Sequence, residues 1–363
     1  MFLRTFGWSF GVTVLGLAFA AYFWGWEGFA VVAILSVLEV SLSFDNAVVN
    51  AGVLKKMNDF WQKIFLTVGV LIAVFGMRLL FPVAIVSITA QKSPLDAVRI
   101  ALDEPKKYEQ LVTDAHPSIA AFGGMFLLMI FLEFVFGERE HTWLSWIEKP
   151  LSRFAGADGA AVCVSLIALL IAAVTLAPSA AQHGGAHVDR SAAVMLAGIA
   201  GLITYLVVSG FSGHFENKLA EEERAQRRDE EPKRGGEQPG AMKLAGQAAF
   251  FTFLYLEVLD ASFSFDGVIG AFAITNHIFW MALGLGIGAM YVRSLTVYLV
   301  RQGTLDDYVY LEHGAHYAIG ALAVILLVTV KWHIHEVITG LIGVGIIAAS
   351  FWSSVRRDRE LGG

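Results

Sequence analysis

The chain has 363 residues, of which 56% are hydrophobic and 16% are charged, and its formal net charge at pH 7 is −6. This composition excludes an ordinary soluble protein, because several apolar runs approach the roughly 20 residues that a helix needs to cross a bilayer. The charges are mixed in sign and not gathered into a basic face, which argues against nucleic acid as a partner. The single cysteine, Cys163, excludes an intrachain disulfide and a thiolate metal cluster.

Apolar runs between charged or Pro/Gly-containing loops predict an all-α polytopic membrane protein with about ten transmembrane helices. The first run imitates a signal peptide, but it continues unbroken to Trp26, so we expect an uncleaved first span. The predicted spans are 6–24, 28–54, 64–88, 118–136, 159–178, 191–211, 245–273, 278–300, 314–331 and 336–353.

Lysine and arginine are distributed unevenly between the two sides that alternating spans define, with 18 on one side and 6 on the other. By the positive-inside rule, both termini face the cytoplasm, although the mixed-charge loop 89–117 is an exception. The highly charged segment 214–243 lies on the same side. We expect a solvated cytoplasmic linker there, with binding of a cytoplasmic partner as the alternative interpretation.

An acid-bearing stretch occurs twice. The segment SVLEVSLSFDNAVVN at 36–50 returns 221 positions later as EVLDASFSFDGVIGA at 257–271, which aligns Glu39 with Asp260 and Asp45 with Asp266. Further on, GVLIAVFGMR at 69–78 parallels GLGIGAMYVR at 284–293. Helices two to four therefore match helices seven to nine.

Five membrane passages separate the two copies, so they enter the membrane from opposite sides. This is an inverted three-helix repeat, the plan of many secondary transporters, which place the binding site near the bilayer midplane. The resulting division of the chain is a first helix at 1–27, repeat one at 28–136, two connecting helices at 137–213, a linker at 214–244, repeat two at 245–335, and a last helix with a basic tail at 336–363.

Ionisable side chains inside a membrane are costly and usually functional. On a helix of 3.6 residues per turn, Glu39 shares a stripe with Ser43, Asn46 and Asn50, and Asp260 with Ser264 repeats that stripe. Oxygen donors therefore converge on one face.

The second acid of each copy, Asp45 or Asp266, follows six residues later and would point about 120° away on an ideal helix. Either the helix unwinds around Ser-Phe-Asp, or each aspartate contacts a different neighbouring helix. We favour the break, which Gly267 supports in the second copy.

Five carboxylates, with Asn and Ser oxygens, make a set of hard donors. Such a set suits Mg²⁺, Ca²⁺ or Mn²⁺, leaves Zn²⁺ open and fits Cu⁺ poorly. Without an ion some of the acids should be protonated, which offers a route to proton-coupled exchange. The five are Glu39, Asp45, Glu257, Asp260 and Asp266.

Other polar residues near or inside the spans have two interpretations each. For Arg78 and Arg293, which occupy equivalent positions, pairing with the acids is favoured over snorkelling to headgroups. Glu133 is a further polar candidate. For the histidines near helix ends, polar loops are favoured over metal capture. These histidines are His183, His187, His313, His316, His333 and His335.

The acid motifs, the arginine after each and the charged central linker resemble the TerC-like (tellurium-resistance protein C) integral membrane family, over about residue 28 to the ninth helix. The resemblance implies a bacterial inner-membrane protein, with manganese export or a tie to metal or tellurite stress. Gly267 in place of Asn46, and an insert at about 90–115, mark a divergent branch. The metal-site residues that it implies are Glu39, Asp45, Asn46, Glu257, Asp260 and Asp266.

The expected function is secondary export of a divalent cation, manganese first, by alternating access at this acidic site. The alternative is a membrane-embedded metal or tellurite stress-response scaffold in which the acids hold a structural ion. An enzyme is the least supported class, because neither a nucleophile nor a hydrolase or phosphate-binding motif accompanies the acids.

Overall fold

The computed structural model describes residues 2–89, 92–137, 141–151, 159–177, 190–229, 246–272, 274–275, 277–302, 308–332 and 334–361. In these ranges every regular element is helical and there is no β-strand. The helices are α1 Phe2–Leu42, α2 Phe44–Leu54, α3 Asp59–Ile64, π1 Phe65–Gly69, π2 Ile72–Leu80, α4 Phe81–Thr89, α5 Pro94–Asp103, α6 Pro105–Phe136, α7 Ser145–Leu151, α8 Ala160–Ile171, π3 Ala172–Leu176, α9 Arg190–Asp229, α10 Gly246–Phe272, α11 Ile278–Gln302, α12 Leu311–Thr329 and α13 Glu336–Leu361.

Within the described residues, seven helices are long and apolar enough to cross a membrane, and Ala160–Leu176 is a shorter apolar helix. The protein is therefore a multi-pass helical membrane protein. Large apolar side chains such as Trp8, Tyr22 and Leu196 are exposed on the outside of the bundle, where they suit contact with lipid. Ten spans and the three-helix repeat stay predictions.

Helix α1 is a hairpin and not one straight rod. Gly25 has φ 71° and ψ −165°, a conformation that a residue without a Cβ adopts readily. Before this point Ser9 contacts Ser294 of α11, whereas after it Ser36 contacts Gly284 of α11. The arms 2–24 and 26–42 thus correspond to the first predicted span and the start of the second.

The predicted third span is a continuous helical backbone that contains two π-helical segments, π1 and π2, between α3 and α4. A π-helix has one extra residue in each hydrogen-bonded turn and is frequent at functional sites. Hydropathy does not distinguish it from an α-helix. Here Arg78 lies within π2 and Gly69 ends π1.

The predicted loop 89–117 is wrong, because most of it is helical. Helix α5 begins after Ser93, whose Oγ accepts a hydrogen bond from the backbone N–H of Asp96 at 3.1 Å. Helix α6 then begins at Pro105, well before the predicted start of the fourth span. Proline is well suited to a first helical turn, where its missing N–H would have no helical partner.

The centre of the bundle is α6, whose residues from Ala120 to Phe136 are largely buried. Its glycines allow close packing against α12, since a Cβ on Gly124 would lie 3.2 Å from the Leu327 side chain. Helices α9 and α10 also pack against α6. This packing fixes α10, which bears the second set of acids.

Candidate functional site

The first acid, Glu39, lies in the last turn of α1 and is 2% exposed. Arg78 of π2 forms an ion pair with it, from Nη2 to the Glu39 Oε1 atom. The hydroxyl of Ser43 donates a second hydrogen bond to the same oxygen, at 3.1 Å. The two side chains that bind Glu39 thus lie on its stripe and at the repeated arginine position, while the Nε atom of Arg78 is buried with no hydrogen-bond partner among the described residues.

The second cluster joins two acids of α10 to one arginine of α11. Arg293 donates from Nη1 to Glu257 Oε1 at 2.9 Å and from Nη2 to Glu257 Oε2 at 3.1 Å. Its Nη2 also donates to Asp260 Oδ2 at 3.0 Å. Arg293 is 1% exposed, so the two-pronged pair is held away from water.

Each arginine also contacts a residue of the other predicted repeat. Arg78 Nη1 donates to the Ser264 hydroxyl of α10 at 3.4 Å. Arg293 Nη1 donates to the backbone carbonyl of Phe65 at 3.4 Å, and its guanidinium lies 4.3 Å from the centre of the Phe65 ring. The two clusters therefore lie where residues 36–80 pack against residues 246–302. The predicted pairing of the arginines with the acids is confirmed, and the snorkelling interpretation is wrong.

Glycines make room for these ion pairs. A Cβ on Gly69 would lie 2.4 Å from Arg293 Nη1 and 2.8 Å from Glu257 Oε1. A Cβ on Gly288 would lie 2.4 Å from the Cβ of Glu39, and one on Gly267 would lie 2.9 Å from its Oε2. A Cβ on Gly284 would likewise lie 2.6 Å from the Cβ of Leu35. Gly69 and Gly267 are contact residues that sequence reasoning did not assign.

The predicted helix break occurs in one copy only. Ser43 separates α1 from α2 with φ −99° and ψ 17°, but hydrogen bonds from Ser43 N to Glu39 O and from Ala47 N to Ser43 O continue across it. Helix α10, in contrast, runs unbroken through the second copy. The expected break beside Gly267 is therefore wrong, because this glycine allows Glu39 to approach α10 and does not end a helix.

The two asparagines of the stripe are buried in α2. Asn46 is 4% exposed, and Asn50 is fully buried with neither Oδ1 nor Nδ2 hydrogen-bonded to any described residue. The side chains of Asp45 and Asp266 lie outside the described part of the structure, although their backbones belong to α2 and α10. Of the six predicted metal ligands, the structure thus brings Glu257 and Asp260 together on Arg293 and pairs Glu39 with Arg78.

No group of three or more His, Cys, Asp or Glu side chains among the described residues is arranged to hold one metal ion. The described acids form arginine-paired clusters. A cation that binds these carboxylates has to exchange places with a guanidinium or share oxygens with it.

Other predicted polar residues lie at one end of the bundle. Glu133, near the end of α6, is exposed and accepts a hydrogen bond from the Tyr205 hydroxyl at 2.5 Å. His313 and His316 are in the first turns of α12, so the prediction of a polar loop is wrong for both. His183, His187 and His333 lie outside the described residues.

Comparison with known proteins gives one family. A family model described as a protein of unknown function, DUF475, matches residues 44–361. The chain belongs to the DUF475 family. No curated protein and no solved structure matches it. The DUF475 match includes the second acid stretch and both arginines, and it begins five residues after Glu39.

The charge of the two clusters in this DUF475 protein is unequal. Among the side chains that the structure describes, Glu39 and Arg78 balance each other, whereas Glu257 and Asp260 share the positive charge of Arg293. An uncompensated charge is expensive in a low-dielectric interior. The second cluster therefore favours one further positive charge, supplied by a proton or by a cation.

Proposed function

We propose that the protein is a secondary membrane transporter of a divalent metal cation, with manganese as the first candidate and export as the direction. One observation carries the proposal. Two buried carboxylate–arginine clusters occupy positions that the repeated sequences make equivalent, Glu39 with Asp260 and Arg78 with Arg293. Buried charges of this kind inside membrane helices are typical of ion pathways.

In the proposed mechanism the cation takes the place of a guanidinium. Carboxylates bound by arginine are available to a cation only if the arginine moves, and Arg78 and Arg293 each have a contact on the opposite segment to which they can shift. The repeated segments rock against one another, as in transporters built from inverted repeats. The interruption at Ser43 allows α2 to move relative to α1.

The choice of metal follows from the donors. Carboxylate and amide oxygens suit Mn²⁺, Mg²⁺ or Ca²⁺, and Zn²⁺ remains a competitor. The predicted ligands are Glu39, Asp45, Asn46, Glu257, Asp260 and Asp266. Resemblance to the TerC-like family supports manganese, while the DUF475 family description names no activity.

The proposed location is the bacterial inner membrane, with both termini and the charged linker in the cytoplasm. The distribution of 18 and 6 basic residues between the two sides supports this orientation. Cysteine accessibility labelling from either side of oriented vesicles tests it.

Metal flux into proteoliposomes tests the function. Vesicles that contain the protein should move Mn²⁺, and Glu39→Gln or Asp266→Asn should abolish this while the amount of folded protein stays normal. Glu104→Gln is a matched control, because Glu104 is exposed and pairs with Lys107 away from the clusters. Flux that neither acid variant reduces would exclude these residues as the pathway.

A second candidate is a membrane scaffold for metal or tellurite stress. The observation that favours it is that every described acid of the two clusters already has an arginine partner, as structural ion pairs do. Deletion of 220–240 separates the two candidates. A scaffold should lose its protective effect in cells without this part of the linker, whereas a transporter should largely keep its flux.

A further inference from the structure

Asn50 of α2 is a fully buried amide whose hydrogen-bonding groups are unused. Neither its Oδ1 nor its Nδ2 is hydrogen-bonded to any described residue. Its neighbours in the chain, Val49 and Ala51, belong to a hydrophobic core cluster. An amide in apolar surroundings is costly unless its oxygen and its N–H groups are hydrogen-bonded. A buried amide of this kind therefore favours a ligand or a water molecule beside it.

The fold does not require an amide at this position. In the alignment of the two acid stretches, Asn50 corresponds to Ala271 of α10. Ala271 is also fully buried, so the second copy accommodates a small apolar side chain at the equivalent place. Packing alone therefore does not account for the amide of the first copy.

Asn50 continues the stripe of oxygen donors that begins at Glu39. Offsets of 4, 7 and 11 residues place Ser43, Asn46 and Asn50 near one direction on a helix. Backbone hydrogen bonds continue across the interruption at Ser43, so the stripe is not broken there. At 1.5 Å per residue, Asn50 is about 16 Å from Glu39 along the helix, and Asn46 lies between them. The donors thus extend from the first acid cluster toward the end of α2.

The end of α2 also lines a polar cavity of about 230 Å³. The lining residues on and just after this helix are Val49, Gly52, Val53 and Lys56. Asn50 lies at the same height of α2 as these residues, on a face about 100° from Val49. Lys56 is exposed and lies on the side that the proposed orientation places in the cytoplasm. Asn50 is therefore the side-chain oxygen of α2 that an ion from this cavity meets first on its way to Glu39.

We propose that the Asn50 amide is a transient binding site for a hard divalent cation that passes between this cavity and Glu39. Oδ1 binds the ion, and Nδ2 donates to a water molecule that accompanies it. Amide oxygens are ordinary ligands of such cations, and a neutral ligand holds them less firmly than a carboxylate does. Because Asn50 is enclosed, binding requires a movement of α2, which the interruption at Ser43 allows. This inference rests on the proposed transport function and adds a residue outside the six predicted ligands.

Replacement of Asn50 by leucine, which has nearly the same size, tests the site. Asn50→Leu should raise the melting temperature of the ion-free protein, because it removes a buried amide without partners. It should also lower the rate of Mn²⁺ flux into proteoliposomes by about tenfold or more, since the moving ion loses a ligand.

Asn58→Leu is the matched control for this substitution. The Oδ1 of Asn58 accepts a hydrogen bond from the backbone N–H of Trp61 at 3.0 Å and caps α3. The same change should therefore lower the melting temperature here and leave the flux per folded protein unchanged.

Nuclear magnetic resonance of the full chain labelled with ¹⁵N at asparagine tests cation binding without transport. The chain has five asparagines, and the amide signal that is lost in Asn50→Leu belongs to Asn50. Asn50→Ala, which is smaller, gives the same assignment and the same flux measurement if the leucine variant does not fold. Titration with diamagnetic Mg²⁺ or Ca²⁺ should shift the Asn50 signal until it saturates and leave the Asn58 signal in place.

An Asn50 signal that neither Mg²⁺ nor Ca²⁺ shifts and that Mn²⁺ does not broaden would overturn the proposal. Flux that Asn50→Leu leaves unchanged would overturn it as well, and a purely structural water at the amide gives both results. If the unmodified protein moves no Mn²⁺, the proposed transport function fails, and the titration still decides whether Asn50 binds a cation.

Discussion

Arg293 holds Glu257 with both terminal nitrogens, at 2.9 Å and 3.1 Å, and uses one of them to hold Asp260 as well. One guanidinium thus serves two carboxylates. The equivalent arginine, Arg78, has only Glu39 among the described acids. The two copies of the site therefore differ in charge, and this difference gives the first prediction.

In each cluster, the arginine can be removed alone or together with one carboxylate. The stability recovered by the second substitution should differ between the two clusters. Arg78→Gln leaves the buried charge of Glu39 with the Ser43 hydroxyl but without its arginine, and should lower the free energy of unfolding by about 3–5 kcal/mol. Adding Glu39→Gln removes that charge, so much of the loss should be recovered. In Arg293→Gln with Glu257→Gln, Asp260 stays unpaired and little should be recovered. Unfolding in detergent compares each double variant with its single variant, Arg78→Gln or Arg293→Gln, and equal recovery in both clusters would contradict the charge assignment.

A methyl group at Gly69 should disturb the ion pair between Arg293 and Glu257, although Gly69 is not a member of that pair. The new Cβ would lie 2.4 Å from Arg293 Nη1, so the guanidinium and Glu257 have to shift. We expect Gly69→Ala to cost about 1–3 kcal/mol, as overpacking does. Gly76→Ala is the matched control in the same helix, because its Cβ would meet only Ile72 at 3.4 Å. Thermal denaturation that does not distinguish the two variants would count against the close contact.

The sequence predicted the buried acids and their arginine partners for two reasons. Charge inside an apolar run is costly, and the acid stretch and the arginine segment both recur along the chain. The predicted helix break had its main support in the second copy, at Gly267, whereas the interruption occurs in the first copy, at Ser43. Glycine next to an aspartate suggested unwinding at Gly267, but the same small residue equally permits close approach, and only the packing of Glu39 on α10 decides between them.

The insert at about 90–115 could not be interpreted correctly from hydropathy, since α5 is amphipathic and α6 begins in a polar sequence. The π-helical geometry around Arg78 has no signal in composition. The sequence could have indicated Gly69 as a site residue, because it is the first residue of the repeated ten-residue segment that ends in the arginine. Its role depends on a contact with the other copy, which spacing within one copy does not reveal.

Two glycines beside Glu39 should respond differently to alanine. At Gly267 the new Cβ would meet Oε2, the mobile end of the side chain, so Gly267→Ala should change cation affinity more than stability. At Gly288 it would meet the Cβ of Glu39 and the backbone oxygen of Ser36, at 2.4 Å and 3.0 Å, so α1 and α11 have to separate. We expect Gly288→Ala to be clearly destabilising. Gly345→Ala, with nothing within 4 Å, is the control, and equal stability of all three would refute the packing.

The hairpin in α1 gives a prediction that a crosslink can test. Ser9 and Ser36 are 27 residues apart, which is about 40 Å along a straight helix, whereas their partners Ser294 and Gly284 are only about 15 Å apart on α11. A straight α1 cannot make both contacts. In a Cys163→Ser background, Ser9→Cys with Ser294→Cys should form a disulfide on mild oxidation, because the two serine hydroxyls are 2.9 Å apart. Ser9→Cys with Ser191→Cys should not, and crosslinking of that pair would mean that the first arm is placed wrongly.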